Sequence, residues 1–337
     1  MNGSRDILVI KLSALGDFIQ SFAAFERIRA AHPGDRITLL TTPPFGDLAR
    51  ASPFFDRVDT DGRPAGMAGA VALIARLRRL RPRLVYDLQG NDRTNFLFQA
   101  LRPSPPLWSG VAFGCALPHR NPLRMQMHTL ERQAQQLHDA GIWPDAPTTP
   151  GSAPSPDVSW MTGFEPTTPP GPFTEAQPFA LLVPGAAPLR PAKRWPVSLY
   201  ADLANRLMTM QVAVKLIGGP AESELGRVIE AAAPGVTNLI GQTDFPAIAA
   251  LGARAALTVG NDTGPVHLIA AVGAPTVALF SSTSDPALCA PRGRVTVLQE
   301  PELKDLPVDA VWAAALAAME NQSTPPVDRA INLGPGL

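Results

Sequence analysis

Two apolar patterns alternate along most of this chain. Short continuous apolar runs, typical of the buried strands of parallel sheets, alternate with longer stretches in which apolar residues keep a helical spacing. The runs predict strands at residues 7–12, 36–42, 57–60, 84–88, 107–111, 179–183, 212–217, 236–240, 255–259, 275–280 and 294–298. The longer stretches predict helices that include residues 18–31, 45–51, 67–80, 128–140, 197–210 and 308–319. This alternation predicts an α/β fold with two parallel, helix-covered sheets.

The pattern is lost between residues 143 and 178, where Pro, Ser, Thr and Gly dominate. Such a composition is typical of a linker or surface loop. We therefore expect an N-terminal domain over residues 1–165, a C-terminal domain over 179–320 and a frayed tail over 321–337. The weakly patterned residues 113–127 predict a mobile loop.

Length, net charge and cysteine content exclude several classes of protein. With 337 residues the chain is too long for one hydrophobic core, and its net charge of zero gives no nucleic-acid footprint. Two cysteines that are distant in sequence form neither a metal motif nor a disulfide framework, which favours a reducing compartment. No signal segment precedes the first strand and no apolar run approaches the ~20 residues of a membrane span, so we expect a cytoplasmic protein.

The most informative stretch is residues 255–280, a predicted strand, turn, short helix and strand. Pro265 suits the first helical position, which makes Thr263 or Gly264 the predicted N-cap. The free N–H groups at that helix start, with His267 in the first turn, suit an anion such as a diphosphate. The charge of Asp262 repels phosphate, so Asp262 is expected to orient backbone N–H groups or accept a sugar hydroxyl. A capped turn without a ligand explains the pattern equally well.

Other candidate groups also follow predicted strands, where ligands of parallel sheets bind. Gly16 allows close approach of a ligand, and Asp17 is either an ordinary acid at a helix start or a reactive carboxylate. His128 and Arg132 share a helix face and form either a surface pair or a clamp for an acidic acceptor. The arginines at residues 76–83 either face anionic lipid or are solvated.

Several common motifs are absent from the sequence. The chain has no G-x-x-x-x-G-K-[ST] phosphate loop, no G-x-G-x-x-G after the first strand, no H-E-x-x-H and no G-x-S-x-G. An ordinary ATPase, a dehydrogenase, a zinc hydrolase and an α/β-hydrolase are therefore unsupported, and we expect neither a metal nor a cofactor.

Five segments occur in an order and spacing that resemble the heptosyltransferases of glycosyltransferase family 9. They cover roughly residues 6–286 and read IKLSALGD (10–17), DLQG (87–90), KRWP (193–196), GPAE (219–222) and NDTGPVH (261–267). The resemblance implies a GT-B architecture, in which two Rossmann-like domains with parallel sheets face a central cleft. It further implies metal-independent, inverting transfer of heptose from ADP-heptose to a lipopolysaccharide core acceptor of the lipid A–Kdo type, on the cytoplasmic face of the inner membrane.

The resemblance also implies roles for individual residues. Asp17 matches the family's general base, and Lys193 matches the lysine that neutralises the donor diphosphate. The implied donor-binding residues are Gly16, Arg194, Glu222, Asp262, Thr263, Gly264 and His267. The implied acceptor-binding residues are Arg93, His128 and Arg132.

Residues 279–286 depart from the family pattern near the expected donor sugar. A family 9 enzyme with another nucleotide sugar or acceptor, or a nucleotide-sugar-binding protein without catalysis, therefore remains an alternative.

Overall fold

The computed structural model describes residues 6–163, 177–186 and 190–320. The predicted tail at 321–337 and the part of the predicted linker at 164–176 lie outside the described residues. None of the described helices is long and apolar enough to cross a membrane.

The N-terminal half contains six strands and six α-helices within the described ranges. In chain order they are β1 (Asp6–Ile10), α1 (Leu15–Gln20), α2 (Phe22–Ala31), β2 (Arg36–Leu40), α3 (Gly46–Ala51), β3 (Arg57–Asp59), α4 (Gly66–Leu80), β4 (Leu84–Asp87), α5 (Asp92–Ala100), β5 (Leu107–Gly110), β6 (Leu117–Pro118) and α6 (Thr129–Asp139). The 113–127 region predicted as a mobile loop contains β6 and a 3₁₀ turn at Arg124–Gln126, so that prediction is wrong for part of its length.

The C-terminal half repeats this alternation. Its elements are β7 (Phe179–Val183), α7 (Val197–Thr209), β8 (Ala213–Leu216), α8 (Ser223–Ala232), β9 (Thr237–Asn238), α9 (Phe245–Arg254), β10 (Leu257–Asn261), α10 (Gly264–Ala271), β11 (Thr276–Phe280), α11 (Pro286–Cys289), β12 (Val295–Gln299) and α12 (Val308–Glu320). Every residue of β7, β10 and β11 is buried, as expected for strands covered by helices on both faces.

Both sheets are parallel and have the same topology. The first has the order β3-β2-β1-β4-β5-β6, and the second has the order β9-β8-β7-β10-β11-β12. In each sheet the order in which successive strands are added reverses at one point. That point lies between β1 and β4 in the first sheet and between β7 and β10 in the second. Crevices at such reversal points, outside the carboxyl ends of the strands, are where doubly wound sheets bind ligands.

The predicted helix over residues 18–31 is interrupted at Ser21. The Ser21 hydroxyl donates to the carbonyl of Asp17 at 2.6 Å and accepts a hydrogen bond from the Gln133 amide at 2.8 Å. This local bond competes with the helical pattern and separates α1 from α2. The break leaves Asp17 in the first turn of the short helix α1.

Strand β10 ends two residues later than predicted because Asn261 is a buried part of it. Its amide nitrogen donates to the carbonyls of Pro184 and Gly185 at 2.8 and 3.0 Å. Its amide oxygen accepts from the backbone N–H of Trp195 and the hydroxyl of Tyr200 at 3.0 and 3.1 Å. Asn261 thereby fixes the loop that carries Lys193 to the carboxyl end of β10.

The predicted linker is in part a packed segment. Val158 and Met161 are fully buried in the core, and the Trp160 ring contacts that of Phe22 with a centroid distance of 5.3 Å. The expectation of a surface loop is therefore wrong for residues 158–161, because their apolar side chains carry no periodic signal yet pack into the core.

A segment of the C-terminal half, residues 288–292, is hydrogen-bonded to the N-terminal half; we call it the strap. Its partners in the N-terminal half are Gln20, His128, Thr129 and Glu131. The Gln20 amide donates to the carbonyls of Cys289 and Ala290 at 2.9 and 3.2 Å, and His128 Nε2 lies 2.8 Å from the Ala290 carbonyl oxygen.

Helices α1 and α10 also join the two halves, and glycines allow their close approach. A Cβ atom at Gly264 would lie 2.3 Å from the Leu15 side chain, and one at Gly16 would lie 2.8 Å from the His267 ring. The two helix starts therefore pack directly against each other. Leu15 of α1 occupies the space beside Gly264, and His267 of α10 occupies the space beside Gly16.

We expect Gly264→Ala to lower the free energy of unfolding by up to about 2 kcal/mol in urea titrations. The overlap with Leu15 costs about 1–3 kcal/mol, and the better helix propensity of Ala offsets about 1 kcal/mol of this. Gly34→Ala is the matched control, since a Cβ there meets nothing within 4 Å. Equal effects of the two substitutions would contradict the packing described.

Candidate active site

A cleft of about 500 Å³ lies between the halves at the carboxyl ends of β1, β7 and β10. It is lined by Ala14, Leu15, Gly16, Asp17, Arg190, Lys193, Asp262, Thr263, Gly264, His267, Ser284 and Cys289. Both predicted catalytic residues, Asp17 and Lys193, therefore line one cleft, together with five of the predicted donor-binding residues. Arg93, His128, Arg132, Arg194 and Glu222 do not line it.

Asp17 is a half-buried carboxylate on the N-terminal wall of the cleft. The turn that leads to it is fixed by Gln89, whose side-chain oxygen accepts from the backbone N–H groups of Leu12 and Ser13 at 2.8 and 3.2 Å. The Thr129 hydroxyl lies 3.4 Å from Oδ1 of Asp17. The neighbouring strand β4 and helix α6 thus position a carboxylate that faces the cleft.

Lys193 and Asp262 form a buried ion pair on the opposite wall. Lys193 Nζ lies 2.5 Å from Oδ2 of Asp262, which also accepts from the Ser284 hydroxyl at 2.8 Å. His267 Nε2 lies 3.4 Å from the other carboxylate oxygen, and its Nδ1 lies 3.2 Å from the Gln20 amide. Asp262 therefore holds both Lys193 and His267 at the start of α10.

This cationic surrounding determines the protonation of Asp262. Burial alone would raise the pKa of the carboxyl group, but hydrogen bonds and positive charge from His267 and Lys193 lower the pKa well below its usual range. Asp262 is therefore an anion at neutral pH, and it orients a cation rather than binding phosphate itself.

The start of helix α10 offers backbone N–H groups that suit an anion. Thr263 is its N-cap, with extended backbone, which confirms one of the two predicted caps, and Pro265 is the second helical residue rather than the first. Because the first N–H groups of a helix lack partners within it, they are available to an anion at that end.

Glu222 and Arg194 lie beside the loops after β7 and β8. The Glu222 carboxylate accepts from the Gly219 N–H at 2.7 Å, and Arg194 donates to the Ala186 carbonyl at 3.0 Å. A Cβ at Gly185 would overlap the Glu222 carboxylate, which therefore occupies the space beside that backbone. Burial raises the pKa of Glu222, opposed by the Gly219 N–H and the charge of Arg194. Its predicted contact with a nucleoside ribose stays a prediction.

The predicted acceptor-side residues lie in different environments. Arg93 is exposed on α5. Arg132 is partly buried and donates to Thr129 at 3.1 Å, next to Asp17, whose negative charge opposes the lowering of the Arg132 pKa by burial. His128 is the N-cap of α6, and its buried ring bonds to the strap and to the Leu130 N–H. That placement gives His128 a structural contact and leaves no open face for a clamp with Arg132.

Two buried charged residues near Asp17 were not assigned a role from the sequence. Lys11 is 3% exposed at the end of β1, and burial lowers its pKa, opposed by the charges of Asp17 and Asp87. Asp87 is fully buried at the end of β4 and accepts from the N–H groups of Gln89 and Gly90. The sequence signal was available, because each is a charged residue at the end of an apolar strand run.

Asp87 predicts a pH effect on stability. Burial raises its pKa to about 6, so the folded carboxyl group keeps its proton to a higher pH than the unfolded one. As pH rises from about 4 to 6, the titration of Asp87 therefore lowers the free energy of unfolding by about 2–3 kcal/mol. Relative to wild type, Asp87→Asn should gain stability over this interval in urea titrations. A difference between the two proteins that is constant with pH would contradict the assignment.

Comparison with known proteins agrees with this geometry. The family model described as glycosyltransferase family 9 (heptosyltransferase) matches residues 119–306, more than half of the chain. The chain belongs to glycosyltransferase family 9. The resemblance found in the five sequence segments is thereby confirmed, and the protein is a glycosyltransferase.

Curated relatives of this family 9 glycosyltransferase include two heptosyltransferases. Lipopolysaccharide heptosyltransferase 2 of Escherichia coli (strain K12) is 27% identical over 303 residues, which are 82% of this chain and 83% of the relative. Lipooligosaccharide heptosyltransferase 2 of Haemophilus influenzae is 38% identical over 113 residues, which span 32% of each chain.

Solved structures confirm the GT-B architecture of the family 9 chain. The E. coli ADP-heptose lipopolysaccharide heptosyltransferase II superposes with a TM-score of 0.75 at 23% identity, covering 95% of this chain and 100% of that one. A family 9 glycosyltransferase from Veillonella parvula gives a TM-score of 0.76 at 20% identity, covering 94% and 97%. The two sheets and the cleft between them are thus the family's fold.

Proposed function

We propose that this enzyme transfers heptose from ADP-heptose to a lipopolysaccharide core acceptor, with inversion at the anomeric carbon. The observation that carries the proposal is the placement of Asp17 and Lys193 on opposite walls of one cleft. The name of the E. coli relative, aligned over most of both chains, supports heptose and lipopolysaccharide as the substrates.

The proposed reaction is a single displacement. The acceptor hydroxyl oxygen attacks the anomeric carbon and its proton passes to Asp17, while the bond from that carbon to the diphosphate oxygen breaks. ADP leaves with the electron pair of that bond. A carboxylate beside the attacking hydroxyl contributes to such steps as a general base.

Lys193 and the first turn of α10 are proposed to stabilise the leaving diphosphate. Preorganised cations and backbone N–H groups act strongly in a water-poor cleft because they are already oriented before charge develops. These groups supply the function that a metal ion has in other transferases, which is the basis for proposing a metal-independent reaction. Asp262 and Ser284 would hold Lys193 in place for this role.

The protein's partners follow from the same proposal. They are the nucleotide sugar and a lipid-linked saccharide acceptor, and the enzyme would act in the cytoplasm, in peripheral contact with the inner membrane. The two sheets support the proposed domain division at 1–165 and 179–320.

The direct test is calorimetric titration of the protein with ADP, UDP and GDP, followed by product analysis with ADP-heptose and a core acceptor. We expect selective ADP binding and formation of an inverted heptoside. Preference for UDP or GDP would support the alternative of another nucleotide sugar, which the unusual 281–286 segment motivates. The assignment of the nucleotide site would be unchanged. Nucleotide binding without turnover of any donor would support the non-catalytic alternative.

A further inference from the structure

One part of the N-terminal half exposes many large apolar side chains. Nine such side chains are exposed in the described ranges, and five of them lie between residues 96 and 125. Four belong to α5 and the loops after β5 and β6, and we call them the apolar rim: Phe96, Phe113, Leu123 and Met125. They are 57%, 89%, 56% and 64% exposed. An exposed apolar patch marks an interaction site more often than scattered single residues do.

Contacts between the loops and α5 hold the rim together. The Gln99 amide donates to the Phe113 carbonyl at 2.9 Å, and Gln99 lies one turn after Phe96 on the exposed face of α5. At the other end of α5, the Arg124 guanidinium lies 3.0 Å from a Cβ built at Gly90, just before the helix. Arg124 itself stands between Leu123 and Met125. The loops that carry Phe113, Leu123 and Met125 are therefore held next to α5, which carries Phe96.

The rim lies at the same edge of the sheet as the cleft. Helix α5 follows the carboxyl end of β4, and the loops of the rim follow β5 and β6. Arg124 is close enough to Arg132 for their charges to interact, and Arg132 in turn interacts with Asp17. A surface seated on the rim would therefore face the acceptor side of the cleft.

The charge around the rim has one sign. Residues 93–130 contain four arginines, Arg93, Arg102, Arg120 and Arg124, and no Asp or Glu. Within the part of the chain that the structure describes, no salt bridge engages Arg93, Arg102 or Arg120. The flanking acid is Asp92, at the start of α5. Apolar side chains on segments that also carry arginines without a carboxylate partner complement a surface that has a negative headgroup layer above an apolar interior.

The other arginine-rich surface, which the sequence offered as a membrane contact, is less suited. Arg76 pairs with Asp59 and Asp61, and Arg83 pairs with Asp35. Arg78 donates to the Ala100 carbonyl at 2.7 Å. Two of the five arginines on this surface are thus neutralised by carboxylates of the protein.

We propose that the apolar rim and its arginines dock this enzyme on an anionic lipid bilayer, with the acceptor side of the cleft toward the membrane. This rests on the proposed function in one respect, that the acceptor is lipid-linked. The rim side chains would enter the headgroup region, and Arg102 and Arg120 would meet lipid phosphates.

The test is co-sedimentation of the full chain with acceptor-free vesicles. We expect binding to phosphatidylethanolamine vesicles that contain phosphatidylglycerol, weakened by salt, and little binding to phosphatidylcholine alone. Phe113→Ser, Leu123→Ser and Met125→Ser combined should reduce the partition coefficient more than about tenfold. Arg102→Gln and Arg120→Gln combined should reduce it about 25-fold, about fivefold for each charge.

The matched control is Met210→Ser with Val228→Ser, two exposed apolar residues of the C-terminal half, which should bind vesicles like wild type. Circular dichroism and ADP titration establish that each variant is folded. Equal binding by the rim variant and wild type, or no preference for anionic vesicles, would overturn the proposal. Turnover with a soluble acceptor fragment is measured separately, so that a failure of the proposed reaction is distinguished from a failure of docking.

Discussion

Replacing Asp17 with Asn is expected to lower kcat by about 10²–10⁴-fold while ADP binding is unchanged. The substitution keeps the shape of the side chain and its contact with Thr129, but an amide cannot take the proton of the acceptor hydroxyl. Because the diphosphate is proposed to bind to groups of the opposite wall, we expect the donor affinity not to depend on this carboxylate. Single-turnover kinetics and calorimetry with ADP measure the two effects separately.

Asp92→Asn is the matched control for Asp17→Asn. Asp92 is also an acid in the first turn of a helix that follows a central strand, but it is exposed outside the cleft. If Asp17 only complemented the helix dipole, both substitutions would have similar small effects of about 0.3–1 kcal/mol on stability and none on turnover. Full activity of the Asp17→Asn variant would show that Asp17 is not the general base.

Replacing Lys193 with Met is expected to lower both the stability of the fold and the turnover. Asp262 would remain as a buried anion that has lost one of its two cationic partners, and breaking such a pair costs about 3–5 kcal/mol of folding free energy. Turnover should fall about 10²–10³-fold because the leaving diphosphate loses a preorganised cation. Urea unfolding and steady-state kinetics with ADP-heptose report the two losses.

A second variant separates these losses. Adding Asp262→Asn to Lys193→Met removes the unpaired anion, so most of the stability should return while turnover stays low. If turnover recovered together with stability, Lys193 would act only by holding the fold. The alternative that Lys193 contributes nothing to donor binding predicts equal ADP affinity in all three proteins.

The sequence predicted the repeated strands and helices and most of the cleft lining. This was possible because the apolar runs of the parallel strands and the glycine turns after them are local signals. Asp17, Lys193 and the Thr263–Gly264 turn each follow a strand, and parallel topology brings such turns to one edge. The roles of Asp17 and Lys193 came from the resemblance to family 9, and the strand-end rule predicted only that the turns carrying them would meet at one edge.

Contacts between remote segments account for what the sequence did not predict. Asn261 was taken as part of a turn, but its bonds to Pro184 and Trp195 extend β10 and fix the lysine loop. His128 was paired with Arg132 on a helix face, whereas its ring bonds to Ala290, 162 residues away. Periodicity contains no information about partners at that separation.

The strap has a consequence for how fast the enzyme can work. Residues 288–292 lie beside the cleft wall and are hydrogen-bonded to Gln20, His128, Thr129 and Glu131 of the other half. Hinge-like separation of the halves must exchange these bonds for bonds to water each time the cleft widens. We therefore expect the strap bonds to slow any product release that requires the halves to separate, independently of how fast the glycosidic bond forms.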